Sequence, residues 1–369
     1  RRGVVESHPA RFTAGMRHLA RLGGVSRPTG SPAIADARSY CADELARFGF
    51  DVREQAFEYS KFAGAWSAPA FGVLLPALAT SLVFALPVTR PLEWLVAFAI
   101  IGAMTVLRFP LMRAKGVNLE AAHHGDVPRV WLVAHLDSKW QPVSMLVRVA
   151  GVITMTIGLI GVIIGSQIAP TLEVAMLVVA WIGGVPLMFS VVGGRNHGTL
   201  DNASGVAAVL HAASMIDTSA HVGVLITDAE ELALAGARAW SRTQVPGVAL
   251  NCDSVDDDGR LVVMFSRARP RRLISAVAGA ALDQNEPLRV LRLVPGILTD
   301  HVALKSAGWE TLTLSRGTAR TLRRIHTRND TLASMNGVGI DGVARVLART
   351  AADLAQRLSN DNRERRGSN

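Results

Sequence analysis

The segment RVWLVAHLD, residues 129–137, is a nearly uninterrupted apolar run that ends in a histidine and an aspartate. An apolar run of this length, without alternating polar residues, predicts a strand that is buried on both faces of a sheet. Its polar end is unusual for a core strand, because buried charges without partners are costly. The segment therefore predicts a central strand with a functional site at its end.

Four further polar motifs follow or border apolar runs in the same way: DNASG (201–205), EE (230–231), CD (252–253) and HTRND (326–330). The predicted strands cover 51–59, 117–122, 129–134, 221–227, 248–252, 260–265 and 310–315. The predicted helices cover 8–23, 33–48, 205–216, 231–240, 271–282 and 339–358. This alternation predicts an α/β fold with a mixed, mostly parallel sheet flanked by helices, whose site lies outside the carboxyl ends of the strands.

The motifs together supply two histidines and several carboxylates, which is the ligand set of a two-metal hydrolytic site. Positions i and i+2 of a strand point to the same side, so Asp137 is expected to accept a hydrogen bond from the imidazole of His135. Glu230 and Glu231 are adjacent, and such close carboxylates resist joint ionisation unless a cation neutralises them. One of them could bind a metal ion while its neighbour takes a proton from water.

Each motif taken alone also has a plainer interpretation. Asp201 could cap the helix that follows it, which is a common role for aspartate. HLD could be a surface pair, the two glutamates a solvated helix start, and Asp253 and His326 ordinary loop residues. The joint occurrence of the motifs is what favours a site.

The composition excludes few classes of protein. The chain has 369 residues, 49% of them hydrophobic, and a net charge of +9. No zinc finger or recognition-helix pattern accompanies this basic charge, so we expect no nucleic-acid partner. The two isolated cysteines, Cys41 and Cys252, argue against a disulfide framework. The sequence begins with Arg1 rather than Met, so a targeting segment could precede it.

Four apolar blocks stand out at residues 62–89, 94–112, 149–172 and 174–194, and only the second holds a charged residue, Arg108. They lack the polar stripe of soluble helices, which predicts four membrane spans and a lipid-bilayer partner. The alternative is four buried helices of a large soluble core.

The four blocks form two predicted hairpins, which return the chain to the side of the membrane that it left. Basic residues flank the hairpin bases: Lys61, Arg113, Lys115, Lys139, Arg148 and Arg195. The hairpin tips carry only Arg90, Glu93 and Glu173. The positive-inside rule then predicts a cytoplasmic catalytic domain. The predicted domains are a discontinuous α/β domain that carries the candidate metal site (1–60, 114–144 and 195–360), hairpins at 61–113 and 145–194, and a charged tail at 361–369.

The order HLD, DNASG, EE, D, HTRND resembles the co-catalytic zinc aminopeptidase family that includes bacterial leucyl aminopeptidase, glutamate carboxypeptidase and the glutaminyl cyclases. The resemblance covers about residues 27–358 outside the hairpins. RPTGSP (27–32), the Asp300–His301 pair and GWETLTLSRG (308–317) match as well. The hairpins depart from the family pattern.

The resemblance implies two zinc ions. His135 and Asp253 would hold one ion, Glu231 and His326 the other, and Asp201 would bridge them. Glu230 would be the general base, and Asp137 would orient His135. Asp300, His301 and Asp330 match positions near the site without a firm role.

The predicted function is a membrane-anchored zinc exopeptidase, most simply an aminopeptidase that hydrolyses N-terminal peptide bonds. A carboxypeptidase or a deacylase of amino-acid conjugates is an alternative, and a membrane scaffold without metal is another. The substrate would be a peptide or an amino-acid conjugate. No motif supports glutaminyl cyclase activity.

Overall fold

The structure is a computed structural model that describes residues 13–84, 112–123, 125, 127–193 and 196–367. The strands within these residues are β1 Phe50–Ser60, β2 Arg113–His123, β3 Val130–His135, β4 Val222–Thr227, β5 Val248–Val255, β6 Arg260–Phe265, β7 Leu288–Arg292 and β8 Glu310–Gly317. The α-helices are α1 Ala14–Leu22, α2 Pro32–Arg47, α3 Lys61–Phe84, α4 Met145–Ile168, α5 Pro170–Met188, α6 Ser204–Ala213, α7 Ala235–Ser241, α8 Arg271–Asp283, α9 Asp300–Ser306, α10 Ala319–Arg324 and α11 Val338–Gly367.

The eight strands form one sheet in the order β1-β2-β4-β3-β5-β8-β6-β7. The four central strands, β4, β3, β5 and β8, are parallel. The pairs β1–β2, β2–β4 and β8–β6 are antiparallel, and β6–β7 is parallel. The predicted mixed, mostly parallel sheet is confirmed. All residues of β3 and β4 are buried, as expected for strands covered on both faces.

Helices cover both faces of the sheet, and the side chains of β3 alternate between the two cores that result. Val130, Leu132 and Ala134 face the larger core, which includes apolar residues of α1, α2, α6, α8 and α11. Trp131 and Val133 face a smaller core that is formed with α7 and α9. The apolar run at residues 129–134 thus supplies both cores at once.

Three described helices are long and apolar enough to cross a membrane: Gly64–Phe84 within α3, Met145–Ile168 (α4) and Pro170–Met188 (α5). They pack together through glycine. A Cβ on Gly72 of α3 would lie 2.7 Å from the carbonyl oxygen of Gly184 in α5, and one on Gly158 of α4 would collide with the backbone of Ala180 in α5. Small residues at such positions let helix backbones approach closely.

The outer surfaces of these helices expose large apolar side chains, for example Ile163, which is 70% exposed, and Ile182, which is 61% exposed. The base of α4 is buried instead, since Met145 and Val149 belong to the larger core of the α/β domain. The predicted span at 94–112 lies outside the described residues except for its last residue, Met112. The first hairpin turn with Arg90 and Glu93, and Arg195, also lie outside them.

Several elements differ from the predictions, among them helices α9 and α10, for which no helix was predicted. The helix predicted from Glu231 begins only at Ala235, because Ala229, Ala233 and Leu234 have positive φ angles and form a loop instead. Strand β7 was not predicted, since its partly exposed residues give no apolar run. Helix α11 does not end near Leu358 but continues through Gly367, into the predicted tail.

Candidate metal centre

Three central strands carry candidate ligands at one edge of the sheet. His135 is the last residue of β3, Asp253 lies near the end of β5, and Glu230 and Glu231 follow β4. Because these strands are parallel, their carboxyl ends meet at the same edge. The sheet therefore brings together residues that are far apart in sequence.

Two loops complete the cluster. Asp201 lies in a short irregular segment, Thr199–Ala203, immediately before α6. Asp201 is therefore not the side-chain cap of that helix, which has no side-chain capping bond. His326 follows α10 and has a φ of 67°. All five predicted ligands are buried.

The five side chains form two groups that could each hold a metal ion. His135, Asp201 and Asp253 form one group, and Asp201, Glu231 and His326 form the other, with the ligand atoms of each group within 4.8 Å of one another. Asp201 is shared by both. The structure therefore assembles the predicted residues, while their role as ligands stays a prediction.

Asp201 presents a different oxygen to each group. Its Oδ1 is 3.1 Å from Nε2 of His135, and its Oδ2 is 3.0 Å from Nε2 of His326. Nε2 of His326 is also 3.1 Å from Oε1 of Glu231, and Nε2 of His135 is 3.9 Å from Oδ1 of Asp253. A carboxylate that faces two imidazoles in this way has the arrangement of a bridging ligand.

The donor set fits zinc, which prefers imidazole nitrogen and carboxylate oxygen. The buried Nε2 of His326 and Oε1 of Glu231 have no hydrogen-bond partner among the described residues. Such orphaned polar atoms are costly in a protein interior unless a ligand uses them. Two groups of three ligands each leave room for substrate or water, as in catalytic sites.

The two adjacent glutamates have opposite electrostatic surroundings. Burial raises the pKa of the Glu231 carboxyl, but Lys139 and His326 outweigh it and bring the pKa to about 2. Burial raises the pKa of Glu230 well above its usual value, and Glu231 and Asp300 add to that shift although His135 opposes it. Glu231 is therefore held ionised, whereas Glu230 readily accepts a proton.

The histidine and the shared aspartate also have shifted pKa values. Burial disfavours a charged His135, but Glu230 and three further carboxylates raise its pKa well above the usual value. Burial would raise the pKa of Asp201, but the facing imidazoles of His135 and His326 hold it well below the usual range. The cluster is thus built to keep positive charge next to Asp201.

Asp137 differs in detail from its expected position. Its two carboxylate oxygens accept hydrogen bonds from the backbone amides of Glu230, at 3.0 Å, and Glu231, at 3.1 Å. Nδ1 of His135 is 3.1 Å from the backbone oxygen of Asp137 and 3.5 Å from its carboxylate. Asp137 therefore orients the glutamate pair at least as directly as it orients His135.

Two buried cations near the site were not predicted to belong to it. Lys139, expected at a hairpin base, is instead buried, with its Nζ 2.5 Å from Oε2 of Glu231. The fully buried Arg27 donates to the backbone oxygens of Leu136, at 3.0 Å, and Gly198, at 2.9 Å. The only signal for Lys139 in the sequence was its proximity to HLD. The only signal for Arg27 was its place in RPTGSP.

Loop residues fix the segment that carries Asp201. The carboxylate of Asp330 accepts hydrogen bonds from the amides of Leu200, at 2.6 Å, and Asp201, at 3.3 Å. Burial raises the pKa of Asp330 to about 7. Asn202 ties the same segment to β5, since its amide donates to the oxygen of Cys252 at 3.0 Å.

The Asp300–His301 pair lies beside the site rather than in either ligand group. Asp300 accepts a hydrogen bond from Thr227 at the end of β4, and burial raises its pKa to about 7. His301 is buried and forms a 2.7 Å hydrogen bond with Thr313 of β8. Both residues support the strand ends.

A cavity of about 620 Å³ opens onto the cluster, and its lining includes Asp201, Glu230, Glu231, Asp253 and His326. The apolar helices contribute other parts of the same wall: Phe71 of α3, Val152 of α4 and Leu187 of α5. The candidate metal centre therefore shares a cavity with the helices that are long enough to cross a membrane.

Comparisons with known proteins agree with this arrangement. The sequence profile described as "Peptidase family M28" matches residues 118–351, more than half of the chain. None of the curated proteins matches the chain.

Solved structures with a similar fold include aminopeptidases and a glutaminyl cyclase. The aminopeptidase from Aneurinibacillus sp. strain AM-1 has 13% identity and a TM-score of 0.55, over 92% of this chain and 93% of that one. The zinc aminopeptidase BSAP from Bacillus subtilis has 13% identity and a TM-score of 0.56, over 94% and 96%. Porphyromonas gingivalis glutaminyl cyclase has 16% identity and a TM-score of 0.55, over 93% and 99%. At such identities the likeness concerns the fold alone.

Proposed function

Because this chain belongs to peptidase family M28 and is a zinc metallopeptidase-like hydrolase, we propose that it is a membrane-anchored exopeptidase that uses two zinc ions. The observation that carries the proposal is the position of Asp201, whose two oxygens lie 3.1 Å and 3.0 Å from imidazoles of separate ligand groups. We propose His135 and Asp253 as further ligands of one ion, and Glu231 and His326 as further ligands of the other.

The two ions, when bound, would lower the pKa of a water molecule and polarise the scissile carbonyl. Glu230 lines the cavity, and its raised pKa suits a general base. In the proposed reaction its carboxylate takes the proton of the attacking water and passes it to the leaving amine. The amide hydrogen bonds to Asp137 hold Glu230 and Glu231 in their different orientations.

The proposed activity is hydrolysis of N-terminal peptide bonds. A carboxypeptidase or a deacylase of amino-acid conjugates would use the same ligands and the same base, and differs in how the rest of the substrate is held. A scaffold without metal is disfavoured, because the full set of five candidate ligands is present and assembled.

We also propose four membrane spans with the catalytic domain in the cytoplasm. The three described apolar helices support membrane association. Lys61 at the base of α3 and Lys115 in β2 lie where the positive-inside rule expects cations for this orientation.

A metal determination on purified, detergent-solubilised protein tests the proposal. We expect two zinc ions per chain by mass spectrometry, loss of aminoacyl-nitroanilide hydrolysis on chelation, and recovery of activity with zinc. A metal content near zero in hydrolytically active protein would refute it.

A further inference from the structure

We propose that Arg148 binds a free carboxylate of the substrate next to the scissile bond, so that the enzyme prefers dipeptides and other short substrates that end in a free acid. This inference rests on the proposed function and adds a substrate class to it. Arg148 is a cationic side chain in the wall of the cavity, and the proposed hydrolytic mechanism does not use it.

Arg148 lies in the first turn of α4, and the groups that hold it are neutral. Its guanidinium donates to Oε1 of Gln141 at 3.3 Å and to the backbone oxygen of Gly296 at 3.2 Å, and it contacts Sδ of Met145 at 3.1 Å. Its Nε is buried and has no hydrogen-bond partner among the described residues. The guanidinium is therefore held in place but left with unused donor capacity.

The charges around Arg148 favour an anion in the loaded enzyme. The carboxylates that act on it electrostatically are Asp201, Glu230 and Glu231, all of which belong to the proposed metal site. Divalent ions would neutralise these carboxylates and leave the arginine without compensation. A cation in a partly desolvated cavity is costly unless an anion pairs with it, and a carboxylate fits the planar guanidinium well.

One residue, Gln141, connects Arg148 to the candidate metal centre. The backbone amide of Gln141 donates to the backbone oxygen of His326 at 2.9 Å, and the side chain of Gln141 accepts from Arg148. Arg148 and His326 line the same cavity. The shared cavity supports a carboxylate at Arg148 that belongs to a residue near the bond that is cleaved, as the terminus of a dipeptide does.

An arginine at the base of a membrane helix could instead bind lipid phosphate. The contacts favour the substrate, because Gly296 lies in a loop of the α/β domain and Gln141 lies at the metal site, so the guanidinium faces the cavity. The lipid role is an outcome of the test below.

The test compares leucyl-alanine with leucyl-alaninamide, which lacks the terminal negative charge. Wild-type enzyme should prefer the free acid. Arg148→Gln should lower kcat/KM for the free acid about tenfold to hundredfold, mainly through KM, and leave the amide nearly unchanged. Arg148→Lys should retain part of the preference. Arg289→Gln removes an exposed arginine from the lining of the same cavity. This variant should keep the wild-type preference for the free acid.

Several results would overturn the inference. Equal losses on both substrates at wild-type zinc content would assign Arg148 a structural or lipid-binding role. Equal losses of the free-acid preference in Arg148→Gln and Arg289→Gln would show that the preference comes from the overall positive charge of the cavity and not from a contact with Arg148. If wild-type enzyme hydrolyses neither peptide nor aminoacyl-nitroanilides, the proposed function itself fails, whereas hydrolysis without preference for the free acid refutes only this inference.

Discussion

Glu230 and Glu231 are neighbours in sequence, yet their side chains have different partners. Oε2 of Glu231 lies 2.5 Å from Nζ of Lys139, and its Oε1 lies 3.1 Å from Nε2 of His326. Oε2 of Glu230 comes no closer than 4.0 Å to Nε2 of His135. A single residue step after β4 thus separates a side chain in contact with Lys139 and His326 from one without such close partners, although both line the cavity.

The two glutamates should therefore respond differently to loss of charge. Glu230→Gln should keep zinc but lower kcat on the order of a hundredfold, because only proton transfer is removed. Glu231→Gln should lower zinc affinity, because a ligand is removed. Zinc titration and steady-state kinetics of both variants check this, and the opposite pattern would mean that the two roles are exchanged.

A histidine far from the metal centre predicts a pH dependence of stability. Burial, together with His211 and Arg17, lowers the pKa of His18 from 6.5 to about 4. Between these values the unfolded chain binds a proton that the folded protein does not, so the free energy of unfolding falls as the pH falls. Across the whole interval between the two pKa values, this loss of unfolding free energy amounts to about 3 kcal/mol.

His18→Gln should therefore flatten the acid side of the stability profile. Between pH 7.5 and pH 5 we expect the apparent Tm of the wild type to fall further than that of the variant. Because carboxylates elsewhere titrate in both proteins, the difference between the two profiles isolates His18. Parallel profiles would show that His18 is not held neutral in the folded protein.

At the scale of helices and strands, apolar runs were predicted well and loops were not. The central strands β3 and β4 were found because every residue in them is buried, which forces an apolar sequence. The loop at 229–234 contains ELAL, which has helix-forming composition, but Ala233 and Leu234 have positive φ angles there and interrupt a helix. Local propensity cannot anticipate such an interruption.

The same limit applies to the candidate site. His135, Glu231 and Asp253 stand out because they end or follow apolar strands, whereas Asp201 and His326 lie in loops and were proposed from the resemblance of DNASG and HTRND to the family motifs. The role of Lys139 could not be predicted, since a basic residue beside an apolar block is equally compatible with a membrane flank. The role of Arg27 could not be predicted either, since it lies in the loop RPTGSP, where no pattern indicates a buried cation. Only the fold shows that Lys139 turns toward Glu231.

A contact joins an apolar helix to the loop that carries the glutamate pair. Gly64 of α3 lies against Leu232, and a Cβ at this position would collide with the Cα of Leu232. Leu232 directly follows the glutamate pair. Gly64→Ala should therefore shift that loop and lower kcat roughly tenfold or more, because small misplacements of catalytic groups are costly.

Trp66→Leu offers a control on the same helix, since Trp66 is 45% exposed. It should leave kcat close to the wild-type value. Both variants should partition into membranes like the wild type. Wild-type turnover in Gly64→Ala would show that the helix and the loop are not mechanically coupled.

For the molecule as a whole, the apolar helices are inserted within the catalytic domain rather than attached to one end. Helices α4 and α5 separate β3 from β4, two adjacent strands of the sheet. Met145 and Val149 at the base of α4 belong to the larger core. The apolar helices and the α/β domain therefore cannot be separated by cutting a linker.

The proposed orientation predicts which side of the membrane a label reaches. Gln167 is exposed at the end of α4, and Asp258 is exposed in the α/β domain. A membrane-impermeant maleimide added to intact cells should modify Gln167→Cys, and should modify Asp258→Cys only after permeabilisation. Both native cysteines, Cys41 and Cys252, are buried, which keeps background labelling low. The reverse pattern would mean an inverted topology.

The order of strands in the sheet also determines when the domain can close during synthesis. β4 joins β2 to β3, but the ribosome makes β2 and β3 first and then α4 and α5. Until residues 222–227 emerge, the facing edges of β2 and β3 lack their partner, and open strand edges readily pair with other chains. A nascent chain in which the apolar helices α4 and α5 have been made but β4 has not is therefore exposed to aggregation before its sheet is complete.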